Sequence, residues 1–395
     1  MESLFLVLPL IAGLLLLAWR FFQQRRPSKP QDQEGFPPEK TIASDPYQDI
    51  EPLSNFDWQA TPPIKIRPFK PKYHLTMALE NCPLSELIEN DNTYLDRIHH
   101  RKDLMDAHPR ETYQCNTICE PAVLELYEWL IGTYLPKRYP TMYRLTTSPN
   151  QKPSLLNIPA NTHIPLHAAS GTHALYTLGA NIDSDMLLLL PQTDATGNPV
   201  YHLQAYVTCF PSGFATQDKL GLPLAGIHKP VPGYKAKLEK SMDRFFARME
   251  CGKAVRRCNW SVTTNDLLYS QGGNHMYEDG STESSSSHAS GGNAKTLDTG
   301  SANLDQVIEE QKRDVEIEKC RLRCERQTLH RLPRTKALVF TFKTYQYKLA
   351  DVKAEGDGSA LAEAIQGLAE GNVPDMAFYK RQVVWGDKVV EYLRS

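Results

Sequence analysis

Apolar residues along the chain recur at two spacings, and each predicts its own kind of element. In EPAVLELYEWLIGTYL, residues 120–135, Leu124, Tyr127, Ile131 and Leu135 return at helical spacing and Pro121 suits a first turn, so a helix with one core-facing side is predicted. In DMLLLLPQTDATGNPVYHLQAYVTCF a strand, a turn at Gly197-Asn198-Pro199 and a second strand follow one another. The second strand places Tyr201, Leu203, Ala205, Val207 and Cys209 on one face and His202, Gln204, Tyr206 and Thr208 on the other. An antiparallel hairpin is the expectation.

Further along, KAKLEKSMDRFFARM carries Leu238, Met242, Phe245, Phe246 and Met249 as the apolar stripe of a helix. Residues 271–303 are rich in Gly, Ser, Asn and Asp and nearly free of large aliphatic side chains, which predicts a disordered insertion; the charged run after it predicts an exposed helix. Leu338, Phe340 and Phe342 alternate as a strand. A last helix starts near Ser359, buries Leu361, Ile365 and Leu368, and is ended by Gly371 and Pro374. Strands and helices come in mixed order with a hairpin and no internal repeat, so the class is α+β with a mainly antiparallel sheet.

The N-terminal end changes this picture. Residues 3–22 form an apolar run just long enough for the about 17 to 25 residues that span a bilayer, preceded only by Glu2 and interrupted only by Arg20, with Arg25 and Arg26 behind it. The exit Trp-Arg-Phe-Phe is no cleavage site, so an uncleaved transmembrane helix is expected, with the body on the cytosolic side, at the endoplasmic reticulum. Residues 23–63 read as a proline-rich linker and 64–395 as the folded domain, interrupted by the 271–303 insertion.

Of the 395 residues 41% are hydrophobic, enough for a sizeable core, and 44 Lys and Arg against 46 Asp and Glu leave a net charge of −2. That balance argues against a nucleic-acid partner. The eight cysteines are scattered without a CxxC pair, which fits reduced thiols better than a disulfide framework.

Phosphate-loop, nucleophile-elbow, HExxH and dinucleotide signatures are absent from the sequence. His163, His167 and His173 in NTHIPLHAASGTH are one candidate metal set, although Pro165 breaks a shared helical face and a polar loop explains them as well. Cys209 reads as a buried core thiol, with a thiolate ligand to haem as the alternative. His228, in AGIHKPVPGYK, sits in an apolar stretch stiffened by Pro230 and Pro232; such a setting suits either a structural histidine or a neutral metal ligand. Arg321, Arg323, Arg326, Arg331 and Arg334 crowd one segment, as an anion site or as a charged strand edge.

Taken together, KYHLTMAL, NTYLDRIHHRKDLM, CFPSGFATQDKLGLPLAGIHKPVPGY, RCNWSV, RCERQTLHRLPRTKALVFTFKTY and the VVEYL ending resemble the haem-dependent oxidative N-demethylase-like family. The resemblance runs from about residue 65 to 393. It implies a PAS-like antiparallel sheet with flanking helices holding haem b, and oxidative N-demethylation of a small amine with O2. It also implies electrons from NADPH through a separate flavin or iron–sulfur reductase. By motif, His228 becomes the axial-ligand candidate, with Cys209 as the alternative, and Arg326 and Arg331 become the candidates for the haem propionates. Family members with Glu-Asp before the first hairpin strand differ from this chain, which has Ser184-Asp185. A haem-binding, gas-sensing module without turnover is the other reading of such a scaffold.

Overall fold

The strands, in chain order, are β1 (Glu80–Cys82), β2 (Tyr113–Cys115), β3 (Tyr143–Ser148), β4 (Gln151–Asn157), β5 (Thr162–Pro165), β6 (Asp185–Thr193), β7 (Pro199–Val207), β8 (Ala254–Thr263), β9 (Arg321–Arg331) and β10 (Leu338–Lys348). The computed structural model describes residues 45–148, 151–195, 197–277 and 301–395. A seven-stranded sheet has the order β1-β8-β9-β10-β6-β7-β2, and a three-stranded sheet the order β3-β4-β5. Every pairing is antiparallel. The expected hairpin is β6–β7, with Thr193 opposite Pro199 and a register shift at Leu188/Leu189. Gly197 takes a left-handed φ of 85° in its turn, a conformation glycine adopts without steric cost.

Alternate residues of the large sheet feed different clusters, because side chains of a strand point to opposite faces. Met186, Leu188 and Val339 pack with helices α1 (Tyr94–Ala107), α2 (Glu120–Trp129) and α3 (Gly171–Asn181). The helix predicted at 120–135 is α2 carried on through a π turn at Leu130–Tyr134, with Pro121 in its first turn. On the alternate positions, Leu189, Leu329 and Leu338 pack with α4 (Leu224–Ile227), α5 (Tyr234–Lys237) and α6 (Glu239–Arg248). A third cluster joins Leu322, Cys324 and Tyr345 to α8 (Gly358–Gln366) and α10 (Gln382–Arg394). In chain order α7 (Ser301–Arg313) precedes α8, and α9 (Met376–Tyr379) stands between α8 and α10.

A buried ionic network ties α1 to the sheet. Arg101 pairs with Asp185 at 2.6 Å, both almost fully buried. The same carboxylate accepts the backbone N–H groups of Cys209 and Phe210 at 2.8 and 2.9 Å. Asp185 thereby clamps the start of β6 to the turn that ends β7. Nearby, Lys343 lies 2.7 Å from Asp91 and 3.1 Å from Asp183.

The α+β class with antiparallel sheets stands, but no helix among the described residues is long and apolar enough to cross a membrane. The transmembrane helix expected at 3–22, and the single-pass endoplasmic reticulum location built on it, are not supported by any described helix; the run itself lies outside the described residues. Over residues 45–63 the chain is not a free linker: Tyr47 and Ile50 are buried in the core, and Trp129 Nε1 donates to the Tyr47 carbonyl at 2.8 Å. Sparse anchors in a polar stretch hide such a segment from composition. The insertion also starts later than residue 271, because Asn274 and Met276 are buried and the Met276 N–H donates to the Tyr379 carbonyl at 3.0 Å. Residues 278–300 lie outside the described ones. The helix near Ser359 is α8, which ends at Gln366, but it is not the last: α9 and α10 follow it.

Candidate functional site

A cavity of about 320 Å³ lies against one face of the large sheet, under α4, α5 and α6. That volume falls within the ~300–1,000 Å³ usual for cofactor and ligand sites. Its sheet wall changes character along each strand. On β9 the inward residues run Leu329, Gln327, Glu325, Arg323, and on β8 Val255, Arg257, Asn259. Ile227, Leu238, Met242, Phe246, Phe340 and Phe342 close the apolar end. The cavity is therefore greasy at one end and polar at the other.

His228 lines this cavity just after α4. Its Nδ1 lies 2.9 Å from the Leu224 carbonyl, an acceptor only, so the proton belongs on Nδ1 and the lone pair on Nε2. The ring stacks on Tyr234 at 4.7 Å and 11°. Burial pushes its pKa below the ordinary 6.5, with the Arg257 and Lys219 charges adding to that and the Leu224 bond opposing it. The imidazole is a neutral, oriented donor of one lone pair, which is the form a metal takes.

A second imidazole faces the same cavity. His275 Nδ1 lies 3.4 Å from the Gly213 carbonyl, and its ring stacks on Tyr379 at 4.5 Å. Burial brings its pKa down to about 4. Sequence reasoning assigned residue 275 to the insertion and missed it. The visible signal was slight: an isolated His-Met-Tyr among small polar residues.

Cationic groups occupy the polar end. Arg257 lines the cavity, its Nε is buried without a hydrogen-bond partner, and burial lowers its pKa. Lys380, also on the lining, donates to the Trp260 carbonyl and to Asn259 Oδ1 at 3.3 Å; burial brings its pKa down to about 8. Glu325 is the carboxylate among them, accepting from Gln327 Nε2 at 2.9 Å. A buried guanidinium nitrogen with no partner, beside a buried ammonium and an apolar chamber, suits a largely apolar ligand that carries carboxylates.

The other residues singled out from sequence stand elsewhere. Cys209 is packed in the core away from the cavity lining, and burial pushes its thiol up to about 12, so it favours the thiol form. Arg326 points to the alternate face of β9, where Nη2 donates to the Glu86 carbonyl at 2.6 Å and lies 3.3 Å from Glu89. Arg331 spends its donors on the Met249, Lys336 and Phe246 carbonyls and the Tyr201 hydroxyl. Neither arginine lines the cavity. His163 bonds Ser154 at 3.0 Å, His167 pairs with Glu128 at 3.2 Å, and the His173 N–H donates to the Ser170 cap of α3. Among the described residues no group of three His, Cys, Asp or Glu is placed to hold a metal ion.

An antiparallel sheet roofed by helices, enclosing an apolar chamber with oriented imidazoles and buried cations, defines an α+β protein with a ligand-sized cavity. The sequence pattern of the haem-dependent oxidative N-demethylase, alpha subunit-like family matches residues 78–390. The chain belongs to that family. No curated protein matches it.

The site's donor set fits haem on the chain's own terms. Apolar walls suit the macrocycle, a neutral imidazole suits the iron, and the unpartnered Arg257 Nε suits a propionate.

Proposed function

We infer that the protein is a haem-dependent oxidoreductase that removes an N-methyl group from a small amine. The observation that carries this reading is His228: a neutral imidazole, its Nδ1 tied to a carbonyl, lining an apolar cavity in a chain of this family. Bound haem supplies an iron centre that activates O2. In the net change one N-methylamine, one O2, two electrons and two protons give the demethylated amine, one formaldehyde and one water. The N–CH3 bond breaks, the methyl carbon is oxidised and dioxygen is reduced.

The residues contribute position and environment. His228 would hold the iron, since the Leu224 carbonyl at Nδ1 fixes the ring's tautomer, raises its basicity and leaves Nε2 its lone pair. Stacking on Tyr234 sets the ring's orientation. Arg257 and Lys380, which line the cavity, would take the cofactor's carboxylates in place of Arg326 and Arg331, which do not. Apolar side chains of α4 to α6 keep water from the reacting end. The electrons come from NADPH through a separate flavin or iron–sulfur reductase, a reading supported by the family's description as an alpha subunit.

The test is amine-dependent oxygen uptake by the haem-loaded full chain with a supplied reductase, assayed on a panel of N-methylamines. Formaldehyde formed in step with oxygen consumed is expected for at least one amine. Haem binding with no amine-dependent uptake across the panel would instead make the protein a sensing module.

A further inference from the structure

His275 and His228 come from unrelated parts of the chain, yet they are built alike. Each ring lies face to face with a tyrosine, Tyr379 at 4.5 Å for His275 and Tyr234 at 4.7 Å for His228. Each Nδ1 faces a backbone carbonyl, Gly213 at 3.4 Å and Leu224 at 2.9 Å. Since a carbonyl accepts only, Nδ1 carries the proton in both rings and Nε2 keeps its lone pair. Neither Nε2 has a hydrogen bond within the described residues, and both rings line the one cavity.

The seat of His275 is rigid. Asn274 and Met276 on either side are buried, the Met276 N–H donates to the Tyr379 carbonyl, and Arg381 holds the Gly273 carbonyl. Gly213 has a left-handed φ of 76°, and a Cβ there would lie 2.9 Å from His275 Nδ1 and 2.8 Å from Asn274 Cβ. Glycine at 213 is thus what lets the ring approach the chain. A purely structural core histidine has both ring nitrogens to satisfy; this one is held by one nitrogen and presents the other to the cavity.

We propose that His275 is a second iron-directed imidazole, so that resting haem is held between His228 and His275. This rests on the cavity being the haem site and adds a ligand that neither the family match nor the sequence pattern assigns. Burial keeps the ring neutral, as a ligand must be, with the Gly213 carbonyl at 3.4 Å opposing it and the charges of Lys380, Arg323 and Arg381 adding to it.

The experiment compares the ferric haem-loaded full chain with His275→Ala, His275→Gln and Gly213→Ala by absorption and electron paramagnetic resonance spectra. The wild type is expected to be low-spin. Both His275 variants should turn high-spin while keeping their haem, and added imidazole should restore the low-spin signal in His275→Ala. Gly213→Ala, which pushes the ring from its seat, should show a mixture of the two. A high-spin wild type whose spectrum is unchanged by either His275 variant overturns the proposal while leaving the haem site intact. A wild-type chain that takes up no haem at all overturns the reading on which it rests.

Discussion

Asp185 offers the sharpest test of how the fold is held, because one carboxylate serves three partners. In Asp185→Ala the Arg101 guanidinium stays buried without its 2.6 Å partner, and the Cys209 and Phe210 N–H groups lose their acceptor. Breaking a buried pair costs about 3–5 kcal/mol, and each buried group left unpaired adds about 1–3 kcal/mol before relaxation. A loss of at least about 4 kcal/mol is expected, a large share of the ~5–15 kcal/mol that holds most domains. Urea unfolding of the full chain followed by circular dichroism measures it through the midpoint. Arg101→Met with Asp185→Leu should recover only part of the loss, since the two backbone donors remain unsatisfied. A single variant within the ~0.5 kcal/mol typical of surface substitutions would refute the clamp.

Further outcomes follow from the cavity and the core. Arg257→Met should weaken haem binding about tenfold to a hundredfold, the worth of a charge-assisted hydrogen bond, whereas Arg326→Met should lower stability and leave haem affinity unchanged; haem titration separates the two. Val255→Trp places an indole in the cavity, so a folded chain with no haem uptake is expected, and undiminished uptake would put the cofactor elsewhere. His330 is buried beside Tyr47, and burial holds its pKa at about 3 against an ordinary 6.5. It is neutral in the fold and takes up a proton on unfolding below pH 6.5. Its stabilisation is therefore complete above that pH and is lost as pH falls toward about 3, costing about 3 kcal/mol by pH 4. His330→Phe should flatten that part of the urea-midpoint profile, and an unaltered slope would count against it.

Elements whose burial is one-sided were legible in the sequence. The β6–β7 hairpin, α2 and the Leu338–Phe342 part of β10 announce themselves by period, because apolar residues at fixed spacing are what a core-facing side requires. What stayed hidden depends on partners far along the chain. The arginines of β9 looked like an anion site or a charged edge, yet β9 lies between β8 and β10, and Arg323 alone donates to the Leu267, Phe210, Pro211 and Leu268 carbonyls. A local pattern cannot show a carbonyl that lies more than fifty residues away. His275 was lost for a related reason: its neighbours are small and polar, and Tyr379, Arg381 and Gly213 supply the order that composition denies. The apolar, stiffened setting of His228 could be read from sequence because its frame of prolines and apolar residues is local.

Whether His228 binds haem iron is read directly from the absorption spectrum of the haem-loaded chain. Wild type and Cys209→Ala should share one Soret band, because the Cys209 thiol is packed in the core and held protonated. In His228→Ala that band should be lost or strongly shifted, with added imidazole bringing it back. A band unchanged in His228→Ala, or one altered only in Cys209→Ala, would contradict the account.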